Sequence, residues 1–382
     1  MRTEPIRAAS GAFADARGTA AAAWRRASSL PVRAALPAGG RPLPYRTSRA
    51  DGHIDQSSCL SFPDFMNNPL LQVRNLRVDF GSHAALRDVS FDLFSGETVA
   101  LVGESGSGKS TLARAILRLG QPASGSVEFM GLDLLRSPAS VMRAQRRNLQ
   151  IVFQDPLASL NPRMTVGDAI AEPLKIFEPQ SNTADRRRRV AAMLERVGLS
   201  AGLASRYPHE FSGGQCQRIA IARAMVLHPK LLICDEAVSS LDVSIQGQII
   251  NLLLDLQRDV GMTLLFISHN LAVVRQLSHR VMVMYLGELV EIASCDSLFA
   301  APIHPYTRAL LAAVPQIPPV AASSPLIEGS LSAASIALGC AFRDRCPYAL
   351  PLCASSAPPL TELDGGRWVA CHRSQETLNP LS

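Results

Sequence analysis

Eight consecutive residues, Gly103, Glu104, Ser105, Gly106, Ser107, Gly108, Lys109 and Ser110, have the types and spacing of a loop that grips phosphate. Glycines let the backbone curl so that its N–H groups face phosphate oxygens. A helix opening near Thr111 adds partial positive charge, Lys109 can reach the β and γ phosphates, and Ser110 can ligate Mg²⁺. A second pattern lies 126 positions after Lys109, where the apolar run 231–234 ends in Asp235 and Glu236. Two adjacent carboxylates at the end of a buried strand suit metal ligation by the first and orientation or deprotonation of an attacking water by the second. The apolar runs 149–153 and 264–267 end in the same way, in Gln154 and in His269 just beyond the second run. A further anion site is offered by Ser212, Gly213, Gly214 and Gln215, which follow Phe211 and open a helix whose first N–H groups lack intrahelical partners.

The elements that must carry these groups follow from hydrophobic pattern. Runs 98–102, 149–153, 231–234 and 264–267 are too continuously apolar for a sheet with one wet face, and they are spaced widely enough for helical crossovers. This predicts a parallel sheet whose strand ends point a phosphate loop, an amide, two carboxylates and an imidazole at one rim. Residues 71–93 read instead as short alternating strands. Residues 156–211 read as mostly helical, with Val190, Met193, Leu194 and Val197 on one stripe behind the basic run Arg186, Arg187, Arg188 and Arg189, which reads as a solvated face. After Ala300, Pro and Ala become frequent and the pattern fades.

Composition sets outer limits. The chain has 382 residues, 47% hydrophobic and 18% charged, enough for two or three structural units. Of the net charge of +6, the 65 residues before Met66 supply +4 (nine Arg, five acids), so the folded part is nearly neutral and carries no nucleic-acid stripe. Residues 1–65, rich in Ala, Arg, Pro, Ser and Gly, read as a disordered extension without a secretory apolar core, loosely like a transit peptide or an upstream extension of a protein starting at Met66. No apolar run approaches the ~20 residues of a membrane-spanning helix.

These motifs, in this order, resemble the ATP-binding-cassette (ABC) ATPases. Residues 103–110 look like Walker A, Gln154 the Q-loop, Phe211 to Gln215 the signature, Asp235 and Glu236 the end of Walker B, Ser240, Leu241 and Asp242 the D-loop, and His269 the H-loop. The resemblance implies an α/β fold: a P-loop NTPase ABC cassette with a mixed sheet core, an antiparallel β subdomain and a helical subdomain over 66–300, plus a small irregular C-terminal domain over 301–382. It also implies ATP and Mg²⁺ as ligands, with Ser110, Gln154 and Asp235 around the metal and His269 on the γ-phosphate. Two cassettes would stack so that Ser212, Gly213, Gly214 and Gln215 of one meet the nucleotide of the other. Phe80 stands where the family places an aromatic for adenine stacking, although alternation from Val78 would turn it towards the core.

Finer similarity, in the Asp155-Pro156, Ser159 to Pro162, Leu241 to Gln246, Met284 to Gly287 and His304 to Leu311 stretches, points to the peptide and nickel importer branch. That branch implies two transmembrane permease subunits, a second ABC ATPase subunit, an extracytoplasmic solute-binding protein acting indirectly, no nucleic acid, and a peripheral position on the cytoplasmic face of the inner membrane. Cys216 and Ala237 depart from its usual Arg and Pro. DNA-repair cassettes carry long coiled-coil arms between the Walker motifs, for which 126 residues leave no room, and translation cassettes commonly carry two per chain.

Cys340, Cys346, Cys353 and Cys371 are separated by five, six and seventeen residues. Four thiols this close read better as metal ligands than as disulfides, yet the gaps match neither zinc CxxC pairs nor ferredoxin runs. Zinc, unliganded thiols or a redox-sensing cluster stay open, and the branch resemblance implies a [4Fe-4S] cluster.

Overall fold

The computed structural model describes residues 68–81, 83–120, 122–239, 241–313 and 338–376. The expected extension over 1–65 and Ser240 of the expected D-loop lie outside them. The described residues belong to one compact unit.

Alternation in the N-terminal part becomes an antiparallel sheet in the order β2-β1-β4-β5, built from β1 (Leu71–Phe80), β2 (His83–Leu93), β4 (Ser124–Phe129) and β5 (Leu132–Asp133). Its pairing is irregular between Val73 and Asp79, and these shifts break the simple period of two before Phe80. Phe80 is therefore 63% exposed rather than core.

The continuous apolar runs form the centre of an eight-stranded sheet ordered β11-β12-β10-β9-β3-β8-β7-β6. Here β3 is Thr98–Val102, β6 Leu149–Val152, β7 Leu231–Asp235, β8 Thr263–Ile267, β9 Arg280–Tyr285 and β10 Glu288–Ser294. Strands β6, β7, β8, β3 and β9 are parallel. Every residue of β3, β7 and β8 is buried, as two covered faces demand. One face packs on α1 (Lys109–Ile116) and the antiparallel sheet through Leu101, Leu112, Ile116, Leu231 and Phe129.

The other face meets the helical layer, which contains α2 (Val166–Phe177), α3 (Thr183–Arg196) and α4 (Gly213–Met225) in one apolar cluster with α5 (Val243–Val260). In the basic run that opens α3, Arg187 and Arg188 are exposed. Arg189, by contrast, pairs with Glu178 and donates to Val226 O at 3.0 Å.

The expected small C-terminal domain is present, and its described part is anchored on the main sheet. Its strands β11 (Thr361–Leu363) and β12 (Arg367–Val369) extend the main sheet, with β12 antiparallel to β10. Fully buried Glu291 on β10 anchors this edge: it accepts from the N–H groups of Ile303 and His304 at 3.0 and 2.9 Å and from Arg367 Nη2 at 3.0 Å. Three-residue strands carry too few positions for a period of two to be read.

Candidate active site

The loop between β3 and α1 is shaped by close approach to the β9–β10 turn. A Cβ on Gly103 would collide with Met284 O, and one on Gly108, whose φ is +106°, would come within 2.7 Å of Ala85 O. Gly287 N donates to Ser107 O at 2.8 Å, tying the turn to the loop. The Met284 to Gly287 stretch is thus a wall of the loop as well as a hairpin, with Leu286 and Gly287 both at positive φ as a tight two-residue turn requires.

Inside the loop, Lys109 Nζ donates to Gly103 O at 2.9 Å, Glu104 O at 2.8 Å and Ser107 Oγ at 3.3 Å. Burial pulls its pKa below the usual lysine range, while Glu236, Asp235 and Glu104 oppose that shift. Ser110 Oγ donates to Asp235 Oδ1 at 2.8 Å, so helix and strand ends meet at two oxygens. Burial raises the Asp235 pKa, partly offset by that hydrogen bond. Mg²⁺ takes oxygen ligands from one or two carboxylates together with substrate phosphates, and this donor pair fits that pattern.

Next to Asp235 the chain turns left-handed at Glu236, φ +51°, a sparsely populated region for a non-glycine residue. The turn is fixed by Glu236 N donating to Ile267 O at 3.0 Å, which continues the β7–β8 pairing. Glu236 Oε2 accepts from Gln154 Nε2 at 3.1 Å and lies 3.5 Å from His269 Nδ1. Three parallel strand ends therefore deliver their polar groups to one carboxylate.

Ser212, Gly213, Gly214 and Gln215 lie on the helical layer. Ser212 caps α4 through a reciprocal pair: Gln215 N donates to Ser212 Oγ at 3.4 Å, and Ser212 N to Gln215 Oε1 at 3.0 Å. A Cβ on Gly214 would come within 2.7 Å of Ile245 Cγ2, so α4 sits close to α5 beside the D-loop residue Leu241. Asp242 is the exposed N-cap residue of α5. Gln246 Nε2 donates to Leu241 O at 2.9 Å, and Asn270 Nδ2 reaches Gln246 Oε1 at 3.5 Å, linking the D-loop to the residue after His269. Cys216 is fully buried, and burial raises its thiol pKa, so the helix start beside it leaves it inert.

A family model described as "ABC transporter" matches residues 86–239, and one described as "Oligopeptide/dipeptide transporter, C-terminal region" matches 290–353. The chain is 54% identical over 280 residues to the oligopeptide transport ATP-binding protein OppF of Salmonella typhimurium, covering 72% of this chain and 84% of that protein. It is 49% identical over 320 residues to the probable peptide ABC transporter ATP-binding protein y4tS of Sinorhizobium fredii, covering 80% and 90%. The chain belongs to the ABC transporter family.

Among solved structures, the cassette resembles the dimeric, post-hydrolysis ATP-binding cassette MJ0796 bound to ADP and Pi (TM-score 0.55, 28% identity, 59% of this chain and 98% of that one). It also resembles cbiO1 of Clostridium perfringens, part of the ABC transporter complex cbiONQ (TM-score 0.56, 28% identity, 62% and 92%). The chain is an ATPase of this family, with ATP and Mg²⁺ as its ligands. Among the described residues no helix is long and apolar enough to cross a membrane.

The four C-terminal cysteines do converge: Cys340, Cys346, Cys353 and Cys371 line one cavity of about 20 Å³ with His304 and His372. Among the described residues no three His, Cys, Asp or Glu side chains are placed to hold one metal ion. Burial pushes the Cys340 thiol up to about 11 and raises those of Cys346 and Cys371. No chemistry is drawn through a cluster here.

Sequence reasoning gave no role to Arg345 or Tyr306. Both reach the phosphate loop, Arg345 through the Glu104 carboxylate and Tyr306 through the Glu104 N–H. The His304 to Leu311 stretch signalled Tyr306; for Arg345 there was no signal beyond its place before Cys346.

Proposed function

We propose that this chain is the ATP-hydrolysing subunit of an ABC importer that couples ATP binding and hydrolysis to uptake of di- or oligopeptides. The observation that carries this reading is the Ser110–Asp235 and Gln154–Glu236–His269 network at the mouth of the loop, in a chain whose C-terminal region matches the oligopeptide and dipeptide type. Loop N–H groups and Lys109 bind the phosphates. Ser110 and Asp235 would hold Mg²⁺, which would supply charge neutralisation on the phosphates. Glu236, fixed by its strained turn and by Gln154, accepts a proton from the water attacking the γ-phosphate in line, and His269 stabilises the charge on the transferred group.

Phe80, exposed at the end of β1, offers a face for adenine. The exposed Ser212 to Gln215 helix start serves the nucleotide of a second cassette, in keeping with the dimeric, ADP-bound relative. Two permease subunits supply the membrane path, an extracytoplasmic binding protein delivers solute, and the chain sits peripherally on the cytoplasmic face.

The test is uptake of labelled di- and tripeptides into proteoliposomes holding the full complex purified through this chain. ATP-dependent uptake that Glu236→Gln abolishes is expected. Peptide uptake unaffected by that substitution would refute the role of the site, and nickel uptake in place of peptide would refute the solute.

A further inference from the structure

The phosphate loop is gripped from the far end of the chain. Arg345, one position before Cys346, sends Nη1 to Glu104 Oε2 at 2.9 Å and Nη2 to Glu104 Oε1 at 3.0 Å. Two parallel N–H···O bonds to one carboxylate are the strong, geometrically specific form of ion pair. The pair is largely shielded, with side chains 13% and 30% exposed. The guanidinium also lies 5.8 Å from the Tyr285 ring centre and 6.0 Å from that of Phe342. These rings pack with Tyr306 and His304 into one aromatic cluster, which fixes the direction of the fork.

Glu104 is held a second time through its backbone. Its N–H donates to Tyr306 Oη at 2.9 Å, and Tyr306 is almost wholly buried on α6 (Pro305–Ala312). The carbonyl of the same residue accepts from Lys109 Nζ. A continuous chain of contacts thus runs from Arg345 and Tyr306 through Glu104 to the lysine of the loop.

Charge gives this chain a consequence. Glu104 puts a carboxylate into a loop that must receive a polyanion, and in a partly desolvated site such repulsion is large. Arg345 cancels that charge and holds the loop in one conformation, so less ordering remains to be done when nucleotide arrives.

We propose that Arg345 is a positioning residue for nucleotide binding, acting through Glu104 to neutralise and preorganise the phosphate loop. The C-terminal segment thereby becomes part of the ATP site. This inference rests on the phosphate-site reading above and adds a residue to it.

The test uses the full chain in its assembled transporter and reads KM for ATP and kcat separately, with thermal unfolding to confirm that each variant is folded. Arg345→Gln should raise KM by about fivefold with kcat within about twofold, and Arg345→Lys, which keeps charge but not the fork, should recover part of that loss. Glu104→Gln placed on Arg345→Gln should bring KM part of the way back towards the wild-type value, because the charge that needed cancelling is gone. A merely structural Arg345 would lower the unfolding temperature without this dependence on Glu104.

An unchanged KM in folded Arg345→Gln, or losses that multiply in the double variant, would overturn the inference. If Arg345→Gln does not fold, Arg345→Lys alone and combined with Glu104→Gln gives the same comparison. Lys109→Ala separates the two readings. If it retained wild-type ATP affinity the phosphate-site reading itself would fail, whereas loss of affinity there with an indifferent Arg345 overturns only the present proposal.

Discussion

His304 caps α6 through a ring nitrogen, Nδ1, which accepts from Tyr306 N–H at 3.1 Å. Its side chain is buried against Phe342, and burial pushes its pKa down to about 3 from the usual 6.5. The folded state therefore resists the charged form. The stability that neutral His304 contributes is fully present above pH 6.5 and is lost as pH falls below that value, since the unfolded chain takes up the proton first.

From pH 7.5 to 5.5 the linkage amounts to about 1.4 kcal/mol, because at the lower pH the unfolded imidazole is about nine-tenths protonated and the folded one is not. For a unit of this size that is a fall of about 2 °C in unfolding temperature. The assay is thermal unfolding of wild type and His304→Asn at both pH values. Asn keeps a side-chain oxygen able to accept from Tyr306 N–H but does not titrate. Every other ionisable group is common to both proteins, so the wild type should lose about 2 °C more than the variant over this interval. Equal losses in both proteins would refute the reasoning.

Three further outcomes are expected. Glu236→Gln should leave ATP binding within about twofold and reduce hydrolysis by about 10²- to 10⁴-fold, measured as phosphate release and by nucleotide titration; normal turnover would exclude Glu236 as the proton acceptor. Gly108→Ala should abolish ATP binding and lower the unfolding temperature, because the new methyl meets Ala85 O at 2.7 Å on a backbone of φ +106°; a variant with wild-type affinity would contradict that steric account. Cys216, fully buried and with its pKa raised by burial, should resist a bulky maleimide at pH 7 in the native chain and react once urea unfolds it, as read by mass spectrometry. Rapid native labelling would show an open helix start.

Much of the site could be read from the chain in order, for a physical reason. A phosphate loop needs glycines, Lys109 and Ser110 at fixed offsets, and a strand buried on both faces must be apolar until it ends, so the groups after 231–234 and 264–267 mark where that sheet delivers its polar residues. The Gln154–Glu236–His269 contacts follow from strands that run parallel and end together.

Phe80 was less legible. Alternation pointed it inward, and irregular pairing along β1, which depends on the partner strands, turned it out. How the C-terminal domain joins the main sheet was not legible, because β11 and β12 are too short to show a period. What ties them down is pairing with β10 and the buried carboxylate of Glu291 on that strand, 76 residues before its partner Arg367.

The sequence by itself determined the chemistry: its composition, spacing and apolar runs require a sheet that presents phosphate-binding and acid-base groups at one rim. Only the tertiary structure decided how that rim is supported. Contacts between residues 241 positions apart, such as Arg345 with Glu104, leave no periodicity, because they depend on where two distant segments are brought by the packing of everything between them. The same packing gathered four cysteines, spread over 32 residues of sequence, around one cavity.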